Sequence, residues 1–194
     1  MTVLRIFPIA LLAAATMLHG QSVEQILTAT KTNIDTYAVM RHVSPPSRLT
    51  ETRWQVSGIH GCSVELKQSI HREEPDSLLS NGAVLGLSED RILTWTFDLS
   101  VLRPQSVLAQ IGGGPHVSIL GQADAFHLKT DVVSRTVRRD GSVASTNSWS
   151  TPGTSGNLWI YFDSPDGDNK QLVKRVQADL QSAVSQCVTL AKRH

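Results

Sequence analysis

Leu172, Val173, Val176, Leu180, Ala183, Val184, Cys187 and Val188 recur at three- and four-residue steps near the end of the chain. That spacing predicts a helix with one continuous apolar face. Gln171, Lys174, Arg175, Gln177, Asp179, Gln181 and Ser185 fall on the opposite face, and Lys192 and Arg193 follow at the electronegative end. Residues 163–168 read Asp-Ser-Pro-Asp-Gly-Asp, which supplies capping groups and a negative first turn. A helix patterned this way owes its stability to the surface its stripe covers. The chain must therefore offer a large apolar face elsewhere.

Only the middle of the chain can. From Leu49 to Asp163 the pattern changes to alternation with period two. Trp54, Val56 and Gly58 share one face of a first strand, and Gly58-Ile59-His60-Gly61 has the composition of a tight turn. Cys62, Val64, Leu66 and Ile70 alternate with Ser63, Glu65, Lys67 and Ser69. The segment His71 to Gly82 is polar and holds Pro75 and Asn81-Gly82, so it is expected to be a loop. Leu93, Trp95, Phe97 and Leu99 mark a third strand, ended by Leu102-Arg103-Pro104, after which Val107, Ala109 and Ile111 resume the alternation.

Gly112 to Pro115 is a turn into a short strand, His116 to Leu120. Ala125 to Arg138 is long and β-branched, and Asp140-Gly141 is a hairpin signal returning the chain through Ser142 to Trp149. Thr151 to Gly156 is expected to be a loop before a last strand with Leu158, Ile160 and Phe162. Ahead of all this, Ser22-Val23-Glu24-Gln25 is a capping box. Val23, Ile26, Leu27, Thr30, Ile34, Tyr37 and Ala38 behind it form a second helical stripe, closed by Ser44-Pro45-Pro46-Ser47. The expected fold is α+β: a mostly antiparallel curved sheet or partly open barrel of about seven strands, with an N-terminal amphipathic helix and a C-terminal helix packed across it.

The start of the chain constrains location. Ile6 to Leu18 is an apolar run broken only by Pro8 and Thr16, too short to span a bilayer but suited to a secretory signal. Leu18-His19-Gly20 before Gln21 is a usable cleavage site, giving a signal peptide at 1–20 and a single domain at 21–194. Removing residues 1–20 takes away Arg5 and no acid, leaving 17 basic and 17 acidic residues. That balance argues against nucleic acid as a partner, because a binder needs a basic footprint. Nothing after residue 20 is apolar enough to span a membrane, so the product is expected in the periplasm or outside the cell. Its only cysteines, Cys62 and Cys187, are an expected disulfide in an oxidising compartment; separately buried thiols are the other reading.

No arrangement points to a catalytic centre, a metal or a cofactor. His42, His60, His71, His116, His127 and His194 include no His-Glu-x-x-His pair. The glycines at 112–114 are not followed by the Lys-Ser/Thr of a phosphate loop, and Gly153-Thr154-Ser155-Gly156 is no nucleophile elbow. Asp163, Asp166 and Asp168 lack the alternation and closing Glu of a calcium loop. Glu73 and Glu74 are adjacent, so on an extended segment they point apart. Trp159 and Tyr161 lie opposite Leu158, Ile160 and Phe162, and form a binding patch for a sugar or peptide unless the first helix covers them.

Several of these pieces together resemble an uncharacterised group of exported bacterial proteins. They are the capped helix ending at Thr36-Tyr37, Gly61-Cys62-Ser63-Val64-Glu65-Leu66, Phe97-Asp98-Leu99-Ser100 with Pro104-Gln105-Ser106-Val107, and a last helix closing on Cys187. The order of strands closed by one helix also resembles a pleckstrin-homology-type barrel. The resemblance implies a fold and no activity. The expected function is a non-catalytic exported domain that binds a protein or cell-envelope component. The alternatives are a small secreted hydrolase, with His116, His60 and Glu73 as nominal site residues, and a lipocalin-like carrier.

Overall fold

The computed structural model describes residues 21–44, 48–78, 84–112, 114–163 and 169–193. The expected signal peptide at 1–20, the prolines of the connector at 45–47 and the capping residues 164–168 lie outside them. The elements are α1 (Val23–Tyr37), β1 (Val39–Ser44), β2 (Arg48–His60), β3 (Ser63–Leu78) and β4 (Val84–Asp98). Two short 3-10 turns follow, η1 (Leu99–Val101) and η2 (Pro104–Ser106). Then come β5 (Val107–Gln110), β6 (His116–Leu120), β7 (Phe126–Arg138), β8 (Val143–Ser155), β9 (Asn157–Tyr161) and α2 (Asn169–Ala191).

The strands form two antiparallel sheets. The wide one has the order β1-β2-β3-β4-β7-β8 and the narrow one β5-β6-β9. The wide sheet is not closed. Where β6 leads into β7 and β8 leads into β9, the chain crosses between the sheets twice, side by side. Gly121 N–H donates to Gly156 O across 2.7 Å at that crossing. A Cβ on Gly121 would stand 2.3 Å from Ala125 Cβ, so no larger residue fits there.

The α2 stripe finds its partner as the patterning demands. Val173, Val176, Leu180, Ala183, Val184 and Cys187 are buried in one cluster with Val64, Leu66, Trp95 and Phe97 of the wide sheet. Val117, Ile119, Leu158 and Ile160 close the cluster from the narrow sheet, and α1 adds Ile26, Leu27 and Ile34. Each such side chain, fully buried, contributes roughly 1.5–3 kcal/mol.

Polar groups fix the helices in register. The capping box of α1 forms, with Gln25 N–H donating to Ser22 Oγ at 3.3 Å and Ser22 N–H donating to Gln25 Oε1 at 3.0 Å. The β2–β3 ladder shifts register between Val56 and Gly58. There α1 supplies both partners: Val56 N–H donates to Asp35 Oδ1 at 2.7 Å, and Lys31 Nζ donates to Val56 O at 2.5 Å. Gln177 and Gln181, placed by pattern on the polar face of α2, are half-buried instead. Their side-chain amides both donate to Val107 O, at 3.1 and 2.9 Å, and so tie α2 to the start of β5.

Cys62 and Cys187 are bridged, with Cα atoms 5.8 Å apart. The bond ties the β2–β3 turn to the far half of α2, and Leu99 N–H donates to Cys62 O at 2.9 Å, drawing in η1. Closing 125 residues removes on the order of 5 kcal/mol of unfolded-chain entropy in the loop model.

Several local expectations need correction. β1, between α1 and the proline connector, is a strand the sequence did not mark. The first turn is confined to Gly61 (φ +60°) and Cys62, while residues 58–60 continue β2. His71 to Leu78 belongs to β3, not to a loop, and the ladder shifts only between Glu74 and Ser77, around Pro75. Residues 151–155 likewise extend β8. In residues 151–155 the missing signal was alternation: Thr151 to Thr154 are all exposed, so period two disappears from the sequence while the ladder to β7 persists.

Candidate functional site

The nominal hydrolase residues do not meet. His60 pairs with Ser63 at one end of the β2–β3 hairpin and Glu73 pairs with Leu49 near the other, roughly 33 Å along β3. His116 sits in the narrow sheet, its ring centroid 4.6 Å from that of Tyr161 and its Nδ1 2.9 Å from Gly114 O. Among the described residues, no group of three or more His, Cys, Asp or Glu is arranged to hold a metal.

The titratable groups that do cluster lie on the outer face of the wide sheet. Strand register sets Arg41, Glu51, His71 and Asp90 side by side across β1 to β4. His71 Nδ1 is 2.7 Å from Asp90 Oδ1 and its Nε2 is 3.1 Å from Glu73 Oε1. Asp90 also accepts from Arg135 Nη1 at 2.5 Å. The bond to Asp90, then the one to Glu73, raises the His71 pKa above its ordinary 6.5. The same bond to His71, followed by that to Arg135, lowers the Asp90 carboxyl, and the bond from Arg53 lowers Glu51. With both ring nitrogens facing carboxylates, His71 is a cross-strand strut whose protonated form those partners favour. Glu74 points to the other face, paired with Arg72.

A surface cleft and a small internal space bear on the enzyme and carrier alternatives. A surface cleft of about 580 Å³ is bordered by Ser63, Thr96, Asp98, Asp124 and His127. Sequence reading missed it because three separate segments supply those residues. Asp98 is engaged there in capping η1, accepting from Ser100 N–H at 2.7 Å. Inside the core, the space between α1, α2 and the two sheets is about 20 Å³, room for about one water. It holds no space for a carried ligand.

The patch expected at Trp159 and Tyr161 divides. Leu158, Ile160 and Phe162 are buried and Trp159 is 49% exposed, so α1 does not cover it. Tyr161 is half-buried, its ring 5.9 Å from that of Trp54 and next to His116. Register places Leu120 and Asn157, Ser118 and Trp159, and His116 and Tyr161 as successive pairs on this outer face of the narrow sheet. Leu120 is 41% exposed and Ser118 is buried. The result is an indole on a strand braced from behind by the core, with a leucine on one side and two ring systems on the other.

No family model, no curated protein and no solved structure matches the chain, and no helix among the described residues is long and apolar enough to cross a membrane.

Proposed function

We propose that the protein is an exported, non-catalytic domain that binds a protein or cell-envelope component on the outer face of its narrow sheet, with Trp159 as the anchor. The observation that carries this reading is an indole half exposed to solvent on a strand whose other face is fully buried. An aromatic side chain held this way presents a large contact area with little conformational entropy left to lose. His116, Asn157 and the Tyr161 hydroxyl supply a polar rim suited to a sugar ring or a peptide backbone.

Export to the periplasm or beyond is part of the proposal. It is supported by the apolar run at 6–18 and by the Cys62–Cys187 bridge, which persists in an oxidising compartment. The pleckstrin-homology-like likeness rests on strands closed by a terminal helix and carries no lipid-binding role, since the pairs on the charged outer face are balanced in sign.

The test is cosedimentation of the protein with washed envelope of the producing cell. The native chain is expected in the pellet, with apparent affinity reduced at least about tenfold by Trp159→Ala and unchanged by Leu190→Ala. Equal retention of native protein and Trp159→Ala would discard the reading, as would no retention of either.

A further inference from the structure

A chain cut after Gly20 begins with a glutamine, whose side-chain amide carbon can reach its own α-amine to close a small unstrained ring of N, Cα, Cβ, Cγ and Cδ. Gln21 is exposed and stands directly before Ser22, the N-cap of α1. Its carbonyl oxygen accepts from Gln186 Nε2 of α2 at 3.2 Å. The capping box beside it uses Ser22 and Gln25. These bonds engage neither the nitrogen nor the side chain of Gln21.

We infer that Gln21 is a modification site: once the signal peptide is removed, its side chain closes on the new α-amine to give an N-terminal pyroglutamate. The inference rests on the proposed export, with cleavage before Gln21. In the step, the neutral Nα attacks Cδ of the same residue. The Nα–Cδ bond forms, the Cδ–Nε2 bond breaks, and ammonia leaves with one proton taken from Nα. No oxidant, reductant or second substrate is consumed. An α-amino group titrates at about 7.7–8.0, so neutral amine is present near neutral pH.

The surroundings favour the product. A surface cleft of about 590 Å³, bordered by Gln21, Ser185, Thr189 and Arg193, leaves room for the ring. An ammonium there would meet the positive end of α1 and share the cleft with Arg193, against one acid, Glu24, in the first helical turn. The lactam is neutral. It keeps the Gln21 carbonyl that Gln186 holds and the Ser22 N–H of the capping box. Cyclisation therefore removes a charge and breaks none of these contacts, and it leaves an aminopeptidase no free amine to grip.

The test is the intact mass of the exported protein, expressed as the full chain and incubated at growth temperature until its mass is constant. The expected mass is that of residues 21–194 with the disulfide closed, less one ammonia, and Edman sequencing should find the chain blocked. Gln21→Ala should keep its full mass and sequence normally, which assigns the loss to residue 21 rather than to an internal asparagine. A native chain that starts at Gln21 and retains its ammonia would overturn the inference while leaving export standing. So would an ammonia loss that persists in Gln21→Ala, or an exported chain that starts at another residue. A chain recovered inside the cell with Met1 in place would overturn the export reading and this inference together.

Discussion

Asp35 of α1 accepts the backbone N–H of Val56 across 2.7 Å, at the point where the β2–β3 ladder loses register. A bulge frees main-chain groups from the sheet, and here a helix side chain takes one of them up. Val56 itself is buried, so its amide has no easy recourse to water.

Asp35→Ala should therefore destabilise the fold by about 1–3 kcal/mol, the cost of a buried unsatisfied donor. Asp35→Asn keeps an acceptor and should recover most of that loss. Urea unfolding of the three proteins checks it; a common midpoint would show that the bulge is held by other means.

His71 makes stability fall toward alkaline pH. Its folded pKa is raised above 6.5, so its contribution is complete below that value and is lost as pH rises through the folded pKa. Asp90 acts in the opposite sense: its lowered pKa gives stability present above the ordinary 3.8 and lost as pH falls through the folded value. Denaturation midpoints measured from pH 5.5 to 8.5 should decline in the native protein and flatten in His71→Gln. An imidazole titrating at 6.5 by NMR would remove the basis for this expectation.

The bridge between Cys62 and Cys187 should contribute about 2–5 kcal/mol. Thiol labelling of unfolded, unreduced protein is expected to find no free SH, and Cys62→Ser/Cys187→Ser should lower the thermal midpoint. Two labelled thiols would show that the cysteines are packed separately.

Gly121→Ala should cost at least about 1–3 kcal/mol, because the added methyl falls 2.3 Å from Ala125 Cβ. Gly112→Ala is the control, since nothing lies within 4 Å of the added carbon. Equal unfolding midpoints for the two variants would mean that the crossing relaxes freely.

Both helices were readable in the sequence because their stripes are long and their faces distinct: Ser22 to Ala38 and Leu172 to Val188 are placed as the spacing required. Val64, Leu66, Trp95 and Phe97 were readable for the same reason, each alternating with a polar neighbour. His71 to Leu78 and Thr151 to Ser155 were not, because polar residues there follow one another without alternation and the ladder is specified by partners distant in sequence. Gln177 and Gln181 escaped notice because a glutamine facing solvent and one facing a backbone carbonyl are spelled alike. Of the candidate site, alternation placed Trp159 opposite Leu158 and Ile160 but could not tell whether the first helix covers it; its neighbour Leu120 comes from another strand and needed the register.

The paired glycine crossing has a consequence for biosynthesis. A chain grown only as far as Gly121 has four strands of the wide sheet and two of the narrow, each layer left with a raw flank and no terminal helix to roof the interior. The wide sheet receives its last two strands, β7 and β8, only after the narrow one has begun, and the cysteine at 187 follows the last strand of both. The link from Cys62 to Cys187 can therefore close only after every strand of both layers has been synthesised.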